Sequence, residues 1–76
     1  MRHVTVQSSN IHSVAHSPAE AKLSVIFKGK DGAPGSEYHY HGISGAQHAA
    51  LMGAESIGAH LNAHIKPHSS KIERHG

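Results

Sequence analysis

Lys22-Leu23-Ser24-Val25-Ile26-Phe27-Lys28 is the clearest strand signal in the chain. Leu23, Val25 and Phe27 fall at period two, so they share one face of an extended strand. Ile26 stands alone on the other face, between Ser24 and Lys28. Downstream, Lys30-Asp31-Gly32-Ala33-Pro34-Gly35 is a concentrated loop signal. Beyond it Glu37 to His41 reads as a strand, with Tyr38 and Tyr40 on one face and His39 and His41 on the opposite one. Upstream, Ile11 to His16 is mixed in polarity with a β-branched bias, and Ser17-Pro18-Ala19-Glu20 ends it. Three successive strands with short connections predict an antiparallel meander. Val4 to Gln7 reads as either a short strand or an arm, and Ser8-Ser9-Asn10 is turn chemistry.

The rest of the chain turns helical. Ser44 followed by Gln47 forms a capping box, in which each side chain satisfies an orphan amide of the first turn. Ala46 to Met52 are mostly good helix formers, and Gly53 is a C-cap. A second helix opens at Ser56, with Ile57, Leu61 and Ile65 in an apolar stripe, and Pro67 stops it. The polar tail 67–76 either frays or folds onto the sheet through Ile72. The expected fold is α+β: a three-stranded antiparallel β-meander followed by two short helices packed on one face. Leu23, Val25, Phe27, Leu51, Ile57, Leu61 and Ile65 are the expected core.

With 76 residues the chain is expected to be one domain, residues 1–76, with its core over about 6–66. A chain this short is marginal alone and usually needs a staple. It has no cysteine, so disulfides are excluded, which fits a reducing cytoplasm. A homo-oligomer or a bound ligand is the expected substitute. The first ten residues lack the apolar segment of a signal peptide, and no apolar run approaches a membrane span, so the expected location is cytoplasmic. The formal net charge of +2 is far below that of a dedicated duplex-DNA binder.

Five short motifs then stand in order: Ser8-Ser9-Asn10-Ile11, Ser24-Val25-Ile26-Phe27, Tyr38-His39-Tyr40, Ser56-Ile57-Gly58 and Asn62-Ala63-His64-Ile65-Lys66. From about Val6 to Lys66 this set resembles the KTSC family. Such domains stand at the C-terminus of some lysyl-tRNA synthetases and as free-standing proteins of bacteria and phages. The resemblance implies a short β-meander-plus-helix domain, and RNA binding through the synthetase-linked relatives. The tail Pro67 to Arg74 departs from the family pattern. It lacks the tyrosine often found there, and with it an aromatic face for stacking a single-stranded base.

The chemistry-bearing residues each have two readings. Tyr38 and Tyr40 either stack a base or pack under the helices with their hydroxyls at the rim, and at least one of them is expected to pack. Ser56 and Gly58 open a helix, where free amides seat an anion, or they form an ordinary N-cap. Asn62, one turn on, and Lys66 past the helix end favour a phosphate. Ser8, Ser9 and Asn10 either donate to a ligand or shape a turn. His60 and His64, four apart, together with His39 and His41 on one strand face, would hold zinc, nickel or copper if they converged. No cysteine or matched carboxylate joins them, so no metal or other cofactor is expected. The five acidic residues, Glu20, Asp31, Glu37, Glu55 and Glu73, do not evidently orient a histidine toward a serine, and no enzyme activity is expected.

The expected function is therefore non-catalytic binding of a small phosphate-bearing nucleotide by a homo-oligomer. The ligand-binding residues would be Ser8, Ser9, Asn10, Tyr38, Tyr40, Ser56, Gly58, Asn62 and Lys66. The resemblance to free-standing phage members adds a sequestering role, blocking a host nucleotide-signalling defence by mass action. Two alternatives stand beside it. One is an RNA-binding module using Tyr38 and Tyr40 with Lys22, Lys28, Lys66, Lys71 and Arg74. The other is a protein-interaction module whose sheet edge or histidine-rich face inhibits a host protein.

Overall fold

The computed structural model describes residues 2–76. The alternating segment at Lys22 is the centre of a sheet with strands β1 (Val4–Thr5), β2 (Ile11–Ser17), β3 (Lys22–Lys28), β4 (Pro34–His41) and β5 (Lys71–Arg74). They lie in sequence order and every neighbouring pair is antiparallel. The meander thus has five strands where three were expected. The two additional strands lie at the flanks, in the two segments whose sequence leaves open strand or arm at one end and fraying or folding onto the sheet at the other. Each forms because the three-strand core leaves a row of unpaired backbone groups on either side. Val4 pairs with Val14, and Ile72 pairs with Tyr40. The tail does fold onto the sheet at Ile72.

Helix α1 (Gly45–Met52) begins at the capping box: Gln47 N–H donates to Ser44 Oγ at 3.2 Å, and Ser44 N–H to Gln47 Oε1 at 2.8 Å. Helix α2 (Ile57–His60) begins at Ser56, whose Oγ accepts from Ala59 N–H at 3.3 Å. It runs on into a wider π turn over Leu61–Ile65, in which Lys66 N–H reaches back to Leu61 O. A 3₁₀ turn over Lys66–His68 contains Pro67 and ends the helical segment. Ser70 N–H then bonds His41 O at 2.9 Å and returns the chain to β4.

Both helices cover the same sheet face. Leu23, Val25 and Tyr40 from the strands meet Leu51, Ile57, Leu61 and Ile65 from the helical half in one apolar cluster. Ile11, Val14 and Ile43 complete it. Phe27, expected in the core, is only partly buried, because the helical segment does not extend over the β3–β4 turn. That turn is tight. A β-carbon on Gly35 would stand 2.9 Å from the Gly29 backbone, so only glycine lets the two strands cross there. No helix among the described residues is long and apolar enough to cross a membrane.

Candidate functional site

Beyond the end of the helical cover, the apolar sheet face stays open as a groove of about 460 Å³. Phe27, Ser36, Tyr38, Tyr40, Lys66 and Ile72 line it. Period two aims Tyr38 and Tyr40 to this face, and the register sets Val25 beside Tyr38 and Ile72 beside Tyr40. The Tyr38 ring meets Phe27 edge to face, with centroids 5.6 Å apart and planes at 86°, a favoured aromatic geometry. Tyr38 is half-buried, whereas Tyr40 is 1% exposed and shows the groove little of its ring. Burial, helped by the neighbouring Tyr38, pushes the Tyr40 phenol up to about 12. At least one tyrosine therefore packs under the helices, and it is Tyr40.

Two cations flank this space. Lys66 is exposed at the start of the 3₁₀ turn and forms part of the lining. Arg74 pairs with Tyr38 across β4 and β5, and its Nη2 donates to Ser36 Oγ at 3.3 Å. An aromatic floor with a lysine and an arginine at its margins suits a flat ring that carries an anionic group.

The remaining residues nominated from sequence lie elsewhere. Ser8 Oγ accepts from Asn10 N–H and Ile11 N–H at 3.3 and 3.1 Å and donates to Asn10 Oδ1 at 3.0 Å. Ser8 O accepts from Lys28 Nζ at 2.6 Å. The Asn10 carboxamide packs on Gly58. Ser8, Asn10, Ser56 and Gly58 thus form one cluster in which turn and cap bonds occupy both serine hydroxyls. Ser9 and Asn62 are exposed and line neither the cluster nor the groove.

The four imidazoles considered for a metal do not converge. His39 and His41 point to the sheet face away from the helices, where they bond Glu37 and Glu73. His60 and His64 lie on the helical side, with ring centroids 4.7 Å apart, beside Gln47 and His68. The sheet stands between the two pairs. Among the described residues no group of three or more histidine or acidic side chains is arranged to hold a metal ion.

Glu37 does meet both a histidine and a serine, accepting from Ser24 Oγ at 3.2 Å beside His39. Ser24 is fully buried and its proton points to the carboxylate, so no hydroxyl is presented to a substrate. Of the groove, Phe27 was assigned to the core, and Ser36, Ile72 and Arg74 were not nominated as ligand residues for a nucleotide. No local signal marks Ser36 or Ile72: Ser36 stands at the start of β4, and Ile72 reaches the groove only because β5 pairs with β4.

The architecture is a small α+β meander domain with helices on one face and a half-open aromatic groove at their end. The KTSC domain model matches residues 7–68, and the chain belongs to that family. It is 33% identical over 67 residues to an uncharacterized protein of Stutzerimonas stutzeri, covering 88% of this chain and 87% of that one. The crystal structure of a KTSC domain protein from Yersinia pestis is similar throughout. Its TM-score is 0.83 at 27% identity, with 99% of this chain and 97% of that chain covered.

Proposed function

We propose that the groove binds a small phosphate-bearing nucleotide without turning it over, and that the protein does so as a homo-oligomer. The observation that carries this reading is that Tyr38, Tyr40 and Lys66 meet around one space of about 460 Å³. Small-ligand sites run roughly 300–1,000 Å³. The Tyr38 and Phe27 rings would receive the base, and such stacking is worth about 1–3 kcal/mol per base. Lys66 would take the phosphate as a point charge, with Arg74 at the far margin. The groove is open to solvent, and Ile72 in its wall is 46% exposed. A second copy covering Ile72 would enclose the ligand, which is the reason for an oligomer. Held in this way, a nucleotide is withdrawn from its receptors by mass action, the sequestering role.

Native mass spectrometry of untagged protein taken directly from its host lysate tests the proposal. The expected result is an oligomer that carries a nucleotide-sized adduct, lost on denaturation. A bare monomer that shifts only on adding short RNA would overturn it in favour of an RNA module. A co-purifying protein with no response to nucleotides would overturn it in favour of an interaction module.

A further inference from the structure

A polar row crosses the whole sheet on the face turned away from the helices. Val4 pairs with Val14, so His3 sets out beside Ala15. Ala15 then pairs with Ser24, Ser24 with His39, and His39 with Glu73. The small Ala15 lets the His3 ring reach across to Ser24, with Nε2 2.8 Å from Oγ. Ser24 donates to Glu37, which also bonds His39 Nε2 at 2.6 Å. On the β5 side, Glu73 bonds His41 and lies 3.4 Å from Lys71 Nζ. Every buried polar side-chain atom among the described residues has a partner.

His75 joins the two halves of this row. Its ring lies on that of His39, with centroids 3.9 Å apart and planes 21° apart. Its Nε2 stands 3.9 Å from Glu73 Oε1, and its backbone N–H donates to Glu37 O at 2.7 Å. The strand that ends just before it, β5, builds the groove from its other side, through Ile72 in the wall and Arg74 on Ser36. His75, directly after Arg74, thus ties the end of β5 to β4, and β5 carries the groove wall.

We propose that protonation of both rings of the His39–His75 stack releases the end of β5 and so reshapes the groove wall. One proton in the stack is well placed, because Glu37 and Glu73 flank it. A second proton puts two like charges in contact, and Glu73, the carboxylate beside His75, is already shared with His41 and Lys71. The charged and titratable groups around the pair are His3 from the arm before β1, Lys22 on β3, Glu37 and His41 on β4, and Lys71 and Glu73 on β5. Lys22 is already paired with Glu20. With the imidazoles neutral, the two carboxylates outnumber the one ammonium of Lys71 and the row is slightly negative. With His3, His39, His41 and His75 all protonated, it is strongly positive. Bonds from His39 and His41 hold the Glu37 and Glu73 carboxyls below the usual carboxylate range. Both therefore stay ionised while imidazoles titrate, and the change comes from the histidines.

Only the consequence for ligand affinity rests on the nucleotide reading of the groove; the movement of β5 does not. The test is an NMR titration of the full chain from about pH 8 to pH 5, spanning the imidazole range. It follows the His39 and His75 rings and the Ile72 methyl groups, in the natural protein and in His75→Phe, which keeps a flat ring without its charge. The expected result is that the two rings take up protons in succession and that the Ile72 signal shifts with the second proton. In His75→Phe the Ile72 signal should stay fixed. Independent titration of the rings with an unmoved Ile72 would overturn the proposal. A parallel titration with adenosine monophosphate separates the two ideas. If Ile72 moves as expected but the nucleotide binds at no pH, the β5 switch stands and the nucleotide reading falls.

Discussion

The carboxamide of Asn10 lies against the backbone of Gly58 so closely that a β-carbon there would stand 2.6 Å from Oδ1. The turn before β2 thus packs on the first turn of α2, and a side chain at residue 58 would oblige the Asn10 carboxamide to shift. Gly58→Ala should therefore cost at most about 2 kcal/mol, the overpacking loss less the gain of alanine in a helix. With Asn10→Ala in place the obstacle is gone, and the same substitution should stabilise by up to about 1 kcal/mol. Urea unfolding of the four proteins measures both steps as a double-mutant cycle. Equal effects of Gly58→Ala in the two backgrounds would show that the contact exerts no strain.

Tyr38→Ala and Lys66→Ala separate the two halves of the proposed ligand. Removing the Tyr38 ring should weaken nucleotide binding by about 1–3 kcal/mol, roughly 5- to 150-fold. Lys66→Ala should weaken it less at high salt than at low salt, because an exposed charge is screened. Calorimetric titration with mononucleotides at two salt concentrations checks both. Unchanged affinity in Tyr38→Ala would place the ligand elsewhere.

Acid should loosen the polar sheet face. Glu37 is held below its ordinary 4.5, first by the bond to His39, with burial opposing, then by the Ser24 hydroxyl and the charges of His39 and His3. Glu73 is held down by its bond to His41 first, and then by Lys71. A depressed carboxyl contributes stability above its unfolded pKa, and that contribution is lost as pH falls through its folded value. Tm should therefore drop as pH falls below 4.5, the carboxyls' ordinary value. In Glu37→Gln the drop should be shallower. Parallel melting curves for the two proteins would rule this out.

Alkali acts on the opposite face. The Tyr40 phenol is raised from 10.0 to about 12, mainly by burial. The folded state favours its neutral form, so its contribution is present below 10.0 and is lost as pH rises toward about 12. In Tyr38→Phe, which leaves Tyr40 as the one tyrosine, ultraviolet titration should keep most of that rise when folded and lose it in guanidinium. An ordinary midpoint in the folded protein would mean that the groove wets the ring.

Local relations along the chain specify the central meander and both helices. Leu23, Val25 and Phe27 can share a face only in a strand, and Ile57, Leu61 and Ile65 only on a helix. Ser44 and Gln47 fixed the start of α1 by local hydrogen bonding. These are short-range relations, and period and capping report them directly. Of the nine residues nominated for a ligand, Tyr38, Tyr40 and Lys66 line one groove, whereas Ser8, Ser9, Asn10, Ser56, Gly58 and Asn62 do not. The remaining features depend on contacts between distant parts of the chain. Two-residue β1 and four-residue β5 have no periodicity strong enough to declare themselves, and they exist because the core sheet offers them unpaired edges. β5 in turn brings Ile72 and Arg74 to the groove and His75 onto His39, contacts between residues more than thirty positions apart. Such contacts also place His39 and His41 across the sheet from His60 and His64. Sequence spacing shows which side chains share an element, but not which side of a sheet an adjoining helix will cover.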